Sequence, residues 1–343
     1  MQMSPSDLTV TVIIPNWNGA LWLPGCLEGL INQYYQDFKV MMVDNNSEDE
    51  SLALVQQKYP FVEIYRCPKN IGFSAAVNLG IRKSKSKYVA LLNTDTRPQA
   101  NWLASLVELM DQSSLDVGAL ASKMLNMEKP ELIDNAGDFL CWQGAAIKRG
   151  HGKPTNTFKQ IEEVFSPCAG AVLYRRSFLE KIGGFDERFF AYLEDVDLGL
   201  RGRLAGYHYL FVPFAEIYHH GHGSGLTRSR YVRLITRNRL LLFIKNIPLR
   251  LLLKHAGQIF YGQIYFFIAY RRPLSSFLGY LSLLPIIPGA IRERFLIIKE
   301  NKMSLSEIDQ MLLGEMSEPP LVSLLVKKYR EWRGQADSNK PPT

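Results

Sequence analysis

The sequence predicts an α/β fold: a mainly parallel central sheet with helices on both faces, extended at the C-terminal end by basic, apolar helices. Three observations carry this reading. Apolar, β-branched runs alternate with helix-compatible segments four times in the first hundred residues, the order a parallel sheet needs because each crossover takes a helix. Asn16, Asp44 and Asp95 each fall just past the end of such a run. Ligands of parallel sheets bind beyond the carboxyl ends of the strands, so the three are expected to share one crevice. The stretch Phe189 to His222 then gathers Glu194, Asp195 and Asp197 and ends on His219, His220 and His222, bringing carboxylates and imidazoles within reach of one site.

Thr9 to Ile14 is a β-branched run stopped by Pro15 and followed by Asn16-Trp17-Asn18-Gly19, a buried first strand with a ligand-facing turn. A helical stretch through Gln33 leads to a second strand, Phe38 to Val43, which ends on Asp44-Asn45-Asn46-Ser47. Ser47, followed by Glu48, Asp49 and Glu50, reads as a helix start. Val62 to Tyr65 is the third strand, leading through Asn70-Ile71-Gly72-Phe73-Ser74 into a helix to about Arg82. Tyr88 to Leu92 is the fourth, closing on Asn93-Thr94-Asp95-Thr96. Leu103 to Met110 is amphipathic and expected to pack on the sheet, and Val117 to Leu120 is a further strand. Residues 126 to 165 carry little periodic signal, and Trp142 within them reads as core rather than cleft. Pro167-Cys168-Ala169-Gly170-Ala171 precedes a strand at Val172 to Tyr174, with side chains small enough for a ligand to approach the backbone. Gly183-Gly184-Phe185-Asp186 is a turn.

If Asp195 to Ala205 is a helix, its acids sit in the first turn, where carboxylates are favoured by the helix dipole and can cap backbone N–H groups. Capping alone accounts for Glu194 or Asp195, and pairing with Arg201 four residues on accounts for Asp197. Tyr209 to Val212, closed by Pro213, reads as a buried strand that returns the chain to the same edge and delivers the histidines. Three imidazoles in four positions beside Gly221, Gly223 and Gly225 point to a metal or phosphate site.

At 343 residues the chain holds one large domain, or a domain with an appendage, and buries a full core. The net charge of +7 is unevenly placed: from Arg228 to Glu300 there are 13 Lys or Arg against Glu293 and Glu300, a local balance of about +11 that leaves about −4 elsewhere. Cys26, Cys67, Cys141 and Cys168 form no CxxC pair, which argues against a zinc ribbon or a disulfide framework and for reduced thiols. The N-terminal MQMSPSDL lacks a basic region followed by an apolar run, so no signal peptide is expected. The turn after the first strand is NWNG and not GxGxxG, which removes the backbone approach that a dinucleotide-dependent dehydrogenase needs. A metallohydrolase built on the His and acid cluster leaves the first hundred residues unexplained. A non-enzymatic membrane- or nucleic-acid-binding module remains as a rival, although long apolar runs among the basic residues argue against nucleic acid.

Taken together, TVIIPNWNG, VDNNSEDES, NIGFSAAVNLGI, LLNTDT, CAGAVLYRRSFLEKIGGFDERFFAYLEDVDLGLR and YHHGHGS resemble the inverting nucleotide-sugar glycosyltransferases of family 2, and among them the bacterial rhamnosyltransferase-like group. The resemblance runs from about residue 9 to residue 245 and rests on six motifs in order. It implies a GT-A fold, with residues 1–245 as the transferase domain: about 9–125 the nucleotide-sugar half and 126–225 the acceptor half. Pro15, Asn16 and Asn18 would then line the nucleotide pocket, Asp44 would bind a pyrimidine base, and Asn70, Gly72 and Asn78 would lie along the nucleoside and diphosphate. The family's DxD motif falls on Asn93-Thr94-Asp95, leaving Asp95 as the surer metal ligand. His219 would join it, with His220 as the alternative one residue on. The resemblance further implies Mn²⁺ or Mg²⁺, Asp195 as the base that deprotonates the acceptor hydroxyl, and Glu194 as its support. The donor would be dTDP- or UDP-linked, with dTDP-rhamnose the first expectation, and the acceptor polyprenyl-diphosphate-linked.

Arg230, Arg233 and Arg237 recur at helical spacing, on a helix that is either solvated or turned toward phosphate or membrane. Two uncharged stretches follow, His255 to Tyr270 and Pro273 to Ile291, framed by Lys254, Arg271, Arg272, Arg292 and Arg294. Pro285 and Pro288 interrupt the second, so residues 246–300 are expected to lie in the interface of an anionic membrane more readily than to span it, with packing on the transferase domain as the alternative. With the lipid-linked acceptor that the resemblance implies, the protein would be expected at the cytoplasmic face of a membrane, peripheral or monotopic. Residues 301–343 read as a short helix and a frayed tail.

Overall fold

The computed structural model describes residues 8–221 and 225–314, with Met316 and Ser323. His222, Gly223, the first seven residues and most of the C-terminal tail, and with them what was expected there, lie outside the described residues. The elements run β1 (Val10–Asn16), α1 (Leu23–Ile31), β2 (Phe38–Asp44), α2 (Ser51–Lys58), β3 (Val62–Arg66), α3 (Phe73–Lys83), β4 (Tyr88–Leu92), β5 (Thr96–Pro98), α4 (Trp102–Gln112) and β6 (Val117–Asn126). Short strands β7 (Ile133–Asn135), β8 (Asp138–Leu140), β9 (Ala146–Lys148) and β10 (Glu162–Glu163) fill the segment of weak sequence signal. Then come β11 (Ala171–Arg175), α5 (Arg176–Ile182), α6 (Glu194–Leu204) and β12 (His208–His219). The rest is helical: α7 (Arg228–Asn246), α8 (Leu249–Lys254), α9 (Ala256–Ala269), α10 (Pro273–Leu283), α11 (Ile287–Glu300) and α12 (Leu305–Met311).

Ten strands form one sheet among the described residues, in the order β10-β12-β6-β11-β4-β1-β2-β3, with β5 on β12 and β7 on β6. β1, β2, β3 and β4 are mutually parallel and β12 is parallel to β6, while β11 runs antiparallel between β4 and β6. The sheet is therefore mixed, with its parallel part where the alternation of strand and helix predicts it. β1 is central and covered on both faces, which is why VTVII is a continuous buried run and does not alternate. Its one polar member, Thr11, is satisfied by the hydroxyls of Ser84 and Ser86.

One face packs on α1, α2 and α4 through Leu27, Val55 and Leu106; the other packs on α3 and α5 through Val77 and Phe178. A third core lies beside the sheet, where α6 and α7 meet α8, α10, α11 and α12 through Leu200, Leu242, Phe243, Leu251, Leu283 and Ile308. Trp142 belongs to this core, stacked on His255 at 3.8 Å between ring centres.

Three local expectations are corrected. α2 begins at Ser51, because the Ser47 hydroxyl is occupied by Asn16 and by the Asn18 N–H and so does not cap. Pro213 does not close its strand: β12 continues to His219 by bulging Pro213, Phe214 and Ala215 out of register between Val212 and Glu216, since a residue without an N–H fits at a bulge. The solvated reading of α7 holds only for Arg230 and Arg233, which are exposed; the rest of the helix runs through the third core with Asn238, Arg239, Lys245 and Asn246 buried.

Candidate active site

A crevice of about 750 Å³ opens at the carboxyl ends of the strands. Pro15, Asn16, Asn70, Gly72, Asn93, Thr94, Asp95, Glu194, Asp195 and His219 all line it. On its β1 side Asn16, the last residue of that strand, donates to Asp44 at 3.0 Å, to the Ser47 hydroxyl at 3.1 Å and to the Ser51 hydroxyl at 3.0 Å. Asp44 is fully buried behind that wall, with its other oxygen held by the Ser47 N–H. Asn18 lies outside the crevice, at φ 55°, with its amide oxygen accepting from the Glu48 N–H at 2.8 Å. Asn78 is likewise absent from the lining. It clamps the turn before α6, donating to the Phe185 carbonyl and accepting from its N–H, so here it positions backbone and does not face the cavity.

Gly72 is required. It sits at φ 90°, and a Cβ there would come within 2.7 Å of the Phe190 ring and carbonyl. Asn45, which sequence reading passed over, ties this wall together by donating to Asn70 and to the Gly72 carbonyl and accepting from the Ile71 N–H.

The register of β5 on β12 sets His219 opposite Thr96, beside Asp95. His219 Nε2 lies 3.5 Å from Asp95 Oδ2, and Nδ1 lies 2.8 Å from Asp134 Oδ2. Burial alone would push this imidazole down, but hydrogen bonds and charge from Asp134 and Asp95 outweigh it and raise it to about 9. Burial would likewise raise Asp134, but its bond to His219 and the nearby Lys148 hold it well below the carboxylate range. His220 turns the other way, its ring 4.3 Å from that of Trp22 while its N–H donates to the Asp95 carbonyl.

Across the crevice the chain enters α6 through strained backbone: Phe190, Tyr192 and Leu193 all have positive φ, at 65°, 72° and 69°. Such conformations persist only when surrounding contacts overdetermine them. α7 supplies those contacts. Asn238 donates to the carbonyls of Phe189, Ala191 and Tyr192, and Arg237 to those of Arg188 and Phe189.

The strained turn delivers Glu194 and Asp195 to the cavity wall. Asp195 accepts from the Ala169 N–H at 3.0 Å and from the Val196 N–H at 2.9 Å. Burial raises its pKa against those two bonds. Glu194 is buried and pushed well above the carboxylate range, first by burial and then by Asp195. Asp197 faces the opposite way and is fully paired, at 2.8 Å from Arg201, 2.9 Å from Lys245 and 2.8 Å from Asn246.

Asp138 escaped sequence reading. Burial and the adjacent Asp195 push it up to about 8, and its ligand atom, with those of Cys168 and Asp195, falls in a set lying within 4.8 Å of one another. Two carboxylates so close share a proton more readily than both ionise. The one sequence signal for Asp134 and Asp138 is the polar run Asp134-Asn135-Ala136-Gly137-Asp138 in a segment otherwise without pattern.

A strand-end crevice with an acid and an imidazole on one side and a helix-borne carboxylate on the other, in a sheet of this order, defines a glycosyltransferase of the GT-A type. Residues 11–183 match the profile of Glycosyl transferase family 2, and the chain belongs to that family. It is 30% identical over 210 residues to the N-acetylglucosaminyl-diphospho-decaprenol L-rhamnosyltransferase of Mycobacterium tuberculosis, covering 54% of this chain and 68% of that one. It is 27% identical over 229 residues to an uncharacterized protein of Sinorhizobium fredii, of whose length it spans 25%. The crystal structure of GalNAc-T7 with UDP, GalNAc and Mn²⁺ shares the fold, with a TM-score of 0.54 over 78% of this chain and 58% of that one at 17% identity.

Proposed function

We propose that this glycosyltransferase moves a sugar, with inversion, from a nucleoside diphosphate to a lipid-linked saccharide at the cytoplasmic face of a membrane. Asp195 is its base. The observation that carries the reading is the shared crevice: Asp195 lines one wall while Asn16, Asn70, Asp95 and His219 line the other. Its dimensions suit a nucleotide sugar. dTDP-rhamnose is the first expected donor, in keeping with the mycobacterial relative's name; UDP-hexoses and UDP-N-acetylhexosamines follow.

Asp95 and His219 form a mixed oxygen and nitrogen set that fits Mn²⁺ or Mg²⁺. The carboxylates of Asp95 and Asp134 on either side of His219 make this a position that favours positive charge. A divalent ion held there would offset the charge that builds on the departing nucleoside diphosphate. Asp195 takes the proton of the acceptor hydroxyl as that oxygen attacks the anomeric carbon. Its raised pKa makes it a better proton acceptor once ionised, and the two backbone N–H groups keep the carboxylate aimed at the cavity. Glu194, buried beside it on the same wall, can orient the acceptor. The donor's nucleoside lies along Asn16, Asn70 and Gly72, with Asp44 holding Asn16 from behind.

Asp195→Asn is expected to lower turnover by roughly 10² to 10⁴, the usual worth of a general base, with dTDP or UDP binding in Mn²⁺ unchanged. Near-wild-type turnover, or a product that retains the donor's anomeric configuration, would remove Asp195 from this role.

Membrane association is supported by the outward face of the C-terminal helices. Phe260, Leu274, Phe277 and Phe295 are 54–69% exposed, and Pro273–Glu300 is the one helix among the described residues long and apolar enough to cross a bilayer. It runs through Pro285 and Pro288 by a short 3₁₀ turn, with each proline in a first turn where its missing N–H costs nothing. Replacing Phe260, Phe277 and Leu281 together by Ser is expected to release the protein from anionic liposomes in co-sedimentation; full retention would remove this face as the anchor.

A further inference from the structure

A second cavity of about 560 Å³ opens beside the crevice, and Arg228 and Tyr231 line both. α7 forms one wall with Arg228, Tyr231 and Arg239, and the end of α9 forms the other with Tyr265, Phe266 and Tyr270. No acidic residue is among its described lining.

Arg239 makes this cavity unusual. It is 3% exposed, yet its Nε and Nη1 are buried without a hydrogen-bond partner among the described residues. Only Nη2 is engaged, with the Tyr270 hydroxyl, while the guanidinium lies 3.6 Å above the Phe266 ring. A buried guanidinium with idle donors is costly unless an anion meets it. Arg228 is exposed at the junction of the two cavities, 5.2 Å and 5.6 Å from the Tyr231 and Tyr270 rings. The opposite face of α9 offers Phe260, Ile264 and Phe267 to solvent.

We propose that this second cavity seats the diphosphate and first isoprenoid units of a polyprenyl-diphosphate-linked acceptor, with Arg228 and Arg239 on the diphosphate and the aromatic wall of α9 against the chain. The inference rests on the lipid-linked reading above and adds a place for the lipid. The order of chemistry along such an acceptor matches the order along the protein. The sugar hydroxyl meets Asp195 in the crevice, the diphosphate on that sugar meets the two arginines, and the hydrocarbon continues along a helix whose outer face is already apolar. Fork-shaped guanidinium donors suit a diphosphate.

The test uses the full chain and farnesyl diphosphate as the probe, with inorganic pyrophosphate and farnesol alongside, by calorimetry in the presence and absence of dTDP and Mn²⁺. Farnesyl diphosphate is expected to bind together with dTDP, and Arg228→Gln and Arg239→Gln are each expected to weaken it tenfold or more; Arg239 lies outside the lining of the crevice, so its variant is expected to leave dTDP affinity unchanged. Phe266→Ala should weaken farnesyl diphosphate and leave pyrophosphate unaffected. Arg228 is on the surface, so its variant keeps the test intact if Arg239→Gln does not fold. Farnesyl diphosphate binding indifferent to Arg228→Gln overturns the proposal. So does competition with dTDP, which would make the arginines part of the donor site, or pyrophosphate binding as tightly as farnesyl diphosphate, which would reduce the cavity to a phosphate site. Arginine-dependent binding in a protein that binds no nucleotide would support the cavity while removing the transferase reading.

Discussion

The β1 side of the crevice and the α6–α7 side bury polar groups in different ways. Around β1 the buried partners are mostly neutral and short: Thr11 with two serine hydroxyls, and Asn16 with Asp44, Ser47 and Ser51. Under α6 they are charges, gathered around one lysine from α7. Lys245 sits between Asp186 at 2.6 Å and Asp197 at 2.9 Å, Arg201 closes on Asp197, and Arg188 on Asp186. The first arrangement follows from strands that form by local pattern. The second is imposed by one helix, α7, that holds a strained turn from outside, so the Asp195 carboxylate is aimed by residues far from it in sequence.

The largest expected effect that tests this contrast comes from Lys245→Met. It leaves Asp197 and Asp186 short of a buried counter-charge and should cost about 3–5 kcal/mol in urea unfolding, against about 1 kcal/mol for Thr11→Val on the other side. Equal costs would abolish the distinction. Asn238→Ala comes next, at about 1–3 kcal/mol for the carbonyls it leaves unpaired. Because Asn238 acts on the turn before Asp195, kcat should fall more than donor affinity. Asn238→Asp should not rescue, since an ionised carboxylate has no N–H to donate; a full rescue would show that shape alone matters.

A pH slope gives a further test. Asp138 titrates near 8 in the folded protein because of burial and Asp195, against about 4 unfolded. The folded state therefore binds the extra proton in between, and this group's contribution to stability falls as pH rises from about 4 to 8. In metal-free protein Asp138→Asn should flatten that fall, and Asp195→Asn should reduce it by removing the neighbouring charge. Urea midpoints at pH 5 and pH 8 measure both.

Legibility follows the same divide. β1 to β4 and α3 were readable because apolar periodicity is local, and the pairing of Asp197 with Arg201 because four residues make one helical turn. The bulge at Pro213 was not, since only the partner strand β6 tells a bulge from an end. Asn238 was hidden inside a helix that reads as basic and solvated, and Asp134 and Asp138 inside short strands whose partners are remote. Ser47 looked like a cap because its true partners, Asn16 and Asn18, come about thirty residues earlier.

Glu293, on α11, reaches past the third core to Arg188, and its carboxylate lies 3.8 Å from Lys245. A helix that exposes Ile291, Phe295 and Leu296 on its outer side is thereby keyed into the charges beneath the turn before Asp195. A fragment trimmed after residue 245 to improve handling would lose that carboxylate and uncover Leu242 and Phe243. Solubility gained by truncation is expected to come at the expense of a correctly folded turn before Asp195, so a better-behaved preparation calls for surface substitutions on α10 and α11 with their inner faces left intact.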